Sequence, residues 1–187
     1  MGDFDGHPFR GNQYGQGGVT VSRGDYKVSE PNAEVKGALT KMTQGQGLTS
    51  GVGRLSASER AAVQDWADRQ PRVNETIHRG VWMSSAEWEK SDLWRVSRTD
   101  GYQKDVTTTE RGLSSWTTDA SRTAAYGHGG NVFVKFEFPP GSGVSISAHS
   151  VYPQEREVIL PWDTKAQVVS ATTNGGSSWV VKLERVR

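Results

Sequence analysis

The sequence predicts an α+β domain on a mostly antiparallel sheet, and three observations carry that reading. Helical signals gather between Ser56 and Val96, strand signals fill the chain after Gly101, and "NGG" at 174–176 reads as a hairpin turn. Helices first and strands last argue for α+β and against a doubly wound nucleotide fold, which alternates the two. No internal repeat is visible.

In chain order, "SASERAAVQDWADRQP" predicts a helix of about three turns. Ser56 opens it in a capping box with Glu59, and Pro71 ends it. "ETIHRGVWM" then alternates as a strand does, and "SSAEWEKSDLWRV" repeats the capping pattern at Ser84 and Glu87, with Trp88 on a helical stripe. The strands follow as "KDVTTT", "GLSSWT", "NVFVKFEF", "GVSISA", "REVILP", "AQVVSATT" and "SSWVVKLERV". One short helix interrupts them at "DASRTAAYG", capped by Thr118 or Asp119.

Composition divides the chain near residue 54, since 12 of the 22 glycines precede it and all 7 tryptophans follow. Residues 1–54 therefore read as a glycine-rich, partly disordered leader or docking segment with one short helix near "NAEVKGALTKM", and residues 55–187 as the folded domain. The net charge of +1 makes no field that would recruit nucleic acid or an anionic membrane. With no cysteine, the chain has no disulfides, thiolate metal sites or cysteine nucleophiles. His7, His78, His128 and His149 are scattered without ligand spacing, and "GHGG" precedes a strand, so neither a metal site nor a phosphate loop is expected. No stretch approaches the roughly 18 apolar residues of a spanning helix, and "MGDFDGHPFR" lacks a signal peptide's basic start and apolar run. The expectation is a soluble chain.

Three sites invite chemistry. In "YPQEREVILP", Glu155 and Glu157 are two apart before an apolar run, and as strand residues they would share a face about 6.6 Å apart. Such carboxylates repel, so they are either a solvated edge that deters aggregation or a functional pair. In "IHRGVWM", Arg79 offers a planar fork for a phosphate or carboxylate, and Gly80 allows a ligand close to the backbone. In "RGLSSWTTD", Ser114, Ser115, Thr117 and Thr118 crowd a strand end, where hydroxyls orient a carboxylate or a sugar.

In this order the three resemble the Arg-Ser-Glu class of mono-ADP-ribosyltransferases, found among bacterial toxins and phage enzymes: Arg79, then Ser115-Trp116-Thr117, then Glu155-Arg156-Glu157. Ser114 offers a second register for the middle motif. The resemblance spans roughly residues 56–187 and implies an ADP-ribosyltransferase-like core of two packed sheets with N-terminal helices. It implies NAD as substrate, no metal, and transfer of ADP-ribose to arginine of a target protein, since glutamate at position 155 goes with arginine acceptors. Glu157 takes the catalytic position, Ser115 holds it, and Glu155 serves the acceptor. On the same resemblance Arg79 is expected to bind the NAD phosphates with Arg122 as a second contact, Gly80 to lie against the nicotinamide amide and Ser115 and Thr117 to line the cofactor site, while Phe133 or Trp116 either stacks on nicotinamide or fills the core, as sheet aromatics more often do. The loop "SAHSVYPQ" is expected to recognise the target. An NAD glycohydrolase and a non-catalytic phage structural or interaction module are the alternatives. "DGHPFRGNQYG" resembles a peptide near the ends of phage and mobile-element proteins, which points to phage or host assembly through residues 1–54 and to the bacterial host cytoplasm or a phage particle as location.

Overall fold

The structure is a computed structural model that describes residues 26–44, 54–97, 105–107, 114–125, 130–160, 165–173 and 175–185. Helices lead and strands follow: α1 (Ala33–Gln44), α2 (Ala57–Asp68), β1 (Ile77–Met83), α3 (Ser85–Ser91), β2 (Asp105–Thr107), β3 (Ser114–Thr117), β4 (Val132–Phe138), β5 (Val144–Ser145), β6 (Glu157–Leu160), β7 (Lys165–Thr173) and β8 (Ser178–Arg185). Both predicted capping boxes form. The Ser56 and Ser84 hydroxyls each accept from the amide three residues on, and Glu59 and Glu87 reach back to the cap amides. "DASRTAAY" gives a 3-10 turn, Ala120–Ala125, capped by Asp119, whose carboxylate accepts from the Ser121 amide at 3.1 Å and from its hydroxyl. "GVSISA" keeps two strand residues before turning at Ser147–His149.

The strands are ordered β2-β7-β8-β4-β1-β3-β6-β5, and every neighbouring pair is antiparallel except β4 with β8. Gly175 and Gly176 adopt φ of 103° and 67° in the β7–β8 turn, a conformation that glycine takes without a Cβ penalty; Asn174 lies outside the described residues. Where two packed sheets are expected, hydrogen bonding runs through all eight strands in series. The five-strand and three-strand halves meet at one register pair, His78↔Thr117. That narrow joint lets both halves contribute to one core: Ile77, Phe136 and Phe138 from one side, Trp116, Val158 and Leu160 from the other.

A second cluster packs α1, which lies before residue 54, against the elements that follow it. Val35, Ala38, Leu39 and Met42 of α1 are buried with Val63, Trp66 and Ala67 of α2 and with Val144, Ile146 and Ile159 of the sheet. Their spacing of i, i+3, i+4 and i+7 is the stripe of an amphipathic helix, partly hidden in the sequence by glycine-rich flanks. Residues 26–44 therefore belong to the folded unit; residues 1–25 and 45–53 lie outside the described residues. β6 explains its own apolar run. Val158 and Leu160 enter one cluster and Ile159 the other, so both strand faces are covered.

Candidate active site

β3 and β6 run side by side with Ser115↔Ile159, Trp116↔Val158 and Thr117↔Glu157 in register. Alternation sends Ser115 and Thr117 to one face and Trp116 to the other. Trp116 is 3% exposed and meets Phe138 edge-on at 5.4 Å, so it fills the core. Ser115 Oγ donates to Glu157 Oε1 at 2.6 Å, with both residues buried. A hydroxyl-to-carboxyl bond at this distance restrains the carboxyl group through Oε1. The bond joins two of the expected site residues, Ser115 and Glu157.

Thr117, expected to line the cofactor site, has another task. It is fully buried, its hydroxyl donates to the Glu155 carbonyl at 2.8 Å, and it accepts from the Asp119 amide at 2.9 Å. Its one proton is committed to the turn, so the hydroxyl braces the glutamate loop.

The two glutamates do not sit as successive same-face residues of a strand. Glu155 closes a 3-10 turn, Pro153–Glu155; Arg156 is left-handed at φ 49° and ψ 45°; Glu157 begins β6. Both side chains are 0% exposed, which removes the solvated-edge alternative. A non-glycine residue in the left-handed region costs about 1–2 kcal/mol, and several bonds hold this one. The Arg156 amide donates to the Pro153 carbonyl at 3.2 Å, its carbonyl accepts from the Thr118 amide at 3.3 Å, and Nη2 lies 3.2 and 3.4 Å from the Glu75 carboxylate oxygens.

Arg79 is 3% exposed on β1, next to His78. His78 stands opposite Thr117, and Thr117 opposite Glu157. The order β1-β3-β6 thus sets Arg79, Ser115 and Glu157 on three adjacent strands, at about 4.8 Å per strand step.

Gly80 is required by the chain itself. A Cβ there would stand 2.1 Å from the Thr123 carbonyl oxygen and 2.9 Å from Phe133 Cε2, so the close approach expected of a ligand is taken on the side-chain face by Thr123. Phe133 also packs on Trp82, with centroids 5.1 Å apart. Arg122, on the turn that carries Thr123, donates through Nε to Asp119 at 3.2 Å. Burial raises the Asp119 carboxyl, but its bonds from Ser121 and its Arg122 partner outweigh this and hold it below the ordinary range. Burial pushes the His78 imidazole below its usual value, opposed by Glu137, whose carboxylate is 3.6 Å from Nδ1.

Among the described residues no group of histidine and carboxylates has metal-binding geometry, and no helix is long and apolar enough to cross a membrane. Sequence reading missed Glu75 and Thr43, which bond the glutamate loop from distant segments, and Tyr26, which bonds Glu75; Thr43 lies next to the last residue of the α1 stripe.

No known family profile matches the chain, and no curated protein matches it by sequence. The fold is that of the ADP-ribosyltransferase toxins. The chain is similar to an ADP-ribosyltransferase from Clostridium botulinum (TM-score 0.58, 15% identity, 87% of this chain and 90% of that one covered). It is also similar to Plx2a, an ADP-ribosyltransferase toxin from Paenibacillus larvae (0.54, 16%, 84% and 88%). A third is ADP-ribosyltransferase Vis in complex with agmatine (0.55, 15%, 86% and 77%), the Vis toxin coming from Vibrio splendidus.

Proposed function

We propose that the chain is a mono-ADP-ribosyltransferase that cleaves NAD and transfers ADP-ribose to arginine side chains of a target protein, releasing nicotinamide. The observation that carries this reading is Glu157, buried at the start of β6 and held by Ser115 Oγ at 2.6 Å, with Glu155 two residues before it and equally buried. The likeness of fold to the toxins supports it, as does a similar protein crystallised with agmatine, a guanidinium compound.

Breaking the bond between nicotinamide nitrogen and ribose C1 leaves the bonding pair on nicotinamide and positive charge on the sugar. Glu157, as a fixed anion, stabilises that charge and accepts from a ribose hydroxyl. Arg79 grips the NAD phosphates, with Arg122 as a second contact and Phe133 beside the nicotinamide. The guanidinium of the acceptor is protonated at every working pH, so its nitrogen attacks C1 only as Glu155 takes up the departing proton. The products are ADP-ribosyl-arginine, nicotinamide and one proton.

Incubation with labelled NAD and agmatine or bacterial lysate tests the reading. Glu157→Ala is expected to abolish both nicotinamide release and arginine labelling, and Glu155→Gln to abolish labelling while sparing some release. Nicotinamide release without label on arginine would favour a glycohydrolase, and undiminished labelling by Glu155→Gln overturns the division of roles.

A further inference from the structure

The loop 147–157 is tied at two points to residues that precede α2 or follow it closely. Near its middle, the Val151 amide donates to Thr43 Oγ1 at 3.1 Å, and Thr43 is fully buried at the end of α1. At its end, the Arg156 guanidinium meets Glu75, whose carboxylate lies 2.5 Å from the Tyr26 hydroxyl; that hydroxyl is also 2.6 Å from Asn74 Oδ1. Burial and the Glu75 carboxylate push the Tyr26 phenol up to about 12, so it remains a donor at neutral pH. The two glutamates depend on these ties unequally. Glu157 is held by the β3–β6 ladder and by Ser115 on its side chain, whereas Glu155, joined to β3 only by the Thr117 hydroxyl on its backbone carbonyl, sits in a 3-10 turn between the two tethers.

We propose that residues 26–44 act as a clamp that positions Glu155 for the acceptor, gripping the loop through Thr43 to Val151 and through Tyr26 and Glu75 to Arg156. Tyr26, Thr43 and Glu75 are positioning residues, and none of them belongs to the proposed NAD-binding or catalytic set. This inference rests on the transferase reading for its effect on activity; the mechanical tie stands on the contacts themselves.

The test uses the full chain carrying Tyr26→Phe with Thr43→Val, each of which removes one oxygen and nearly keeps the side-chain shape. Arginine labelling of agmatine is expected to fall about tenfold or more, because small misplacement of a reacting group is costly. Nicotinamide release stays within about twofold of the parent, since Glu157 keeps its own supports. Amide hydrogen exchange at Val151 and Arg156 accelerates, and Thr43→Ser, which restores the hydroxyl, recovers the parent's values at Val151. An unchanged ratio of labelling to release overturns the clamp's role in transfer, and unchanged exchange overturns the clamp itself. If the parent turns over no NAD, the transferase reading fails, and the exchange measurement still decides the tie.

Discussion

The Ser115 hydroxyl and the Glu157 carboxylate meet at 2.6 Å across two antiparallel strands, diagonal to one another in register and both buried. The bond ties the Oε1 side of the carboxylate to β3. Ser115→Ala removes the donor and leaves the ladder intact. On the proposed transferase reading, NAD turnover is expected to fall about ten- to a hundredfold through loss of orientation, with a stability loss of about 1–2 kcal/mol. Steady-state nicotinamide release and urea unfolding measure the two separately.

Gly80→Ala tests the close approach of the Ala120–Ala125 turn to β1. The added methyl would meet the backbone oxygen of Thr123 at 2.1 Å, and backbone cannot swing aside as a flexible side chain can. Overpacking of this kind costs about 1–3 kcal/mol, read as a lower urea midpoint. A midpoint equal to the parent's would show that the turn moves freely away from β1.

Leu39→Ala asks whether α1 is part of the domain. Leu39 is 0% exposed in the cluster shared by α1, α2 and β6. Its truncation is expected to cost about 2–5 kcal/mol of global stability, with one unfolding transition at lower urea. A variant as stable as the parent would place the helix outside the cooperative unit.

Stability is expected to fall on mild acidification. Burial holds His78 and His149 below the ordinary histidine range, each shift opposed by a carboxylate, Glu137 for His78 and Glu30 for His149. The unfolded chain therefore binds protons first, so their effect is absent above about pH 6.5 and destabilising as pH falls through that unfolded value toward the lower folded ones. Asp119, with its carboxyl below the usual range, adds a loss at still lower pH, as protonation passes through its folded value. The urea midpoint should be lower at pH 5.5 than at pH 7.5, and His78→Gln should shrink the difference. An unchanged difference removes His78 from this account.

Local patterns determined a good deal of this protein. The capping boxes at Ser56 and Ser84, the alternation of β1 and β4 and the glycines at 175 and 176 act within a few residues, so helices and strands were legible in order. The spacing around Arg79, Ser115 and Glu157 was legible too, as composition at three separate points of the chain. What the sequence could not hold is which face each side chain meets. Packing against Phe138 sends Trp116 into the core, the Thr123 carbonyl takes the space beside Gly80, and Thr117 spends its proton on the glutamate turn. The left-handed Arg156 separates two glutamates that a strand would have aligned, and Glu75, itself bonded by Tyr26, and Thr43 reach the loop from far along the chain. These outcomes depend on contacts between residues tens of positions apart, which exist only once strand order and helix docking bring them together.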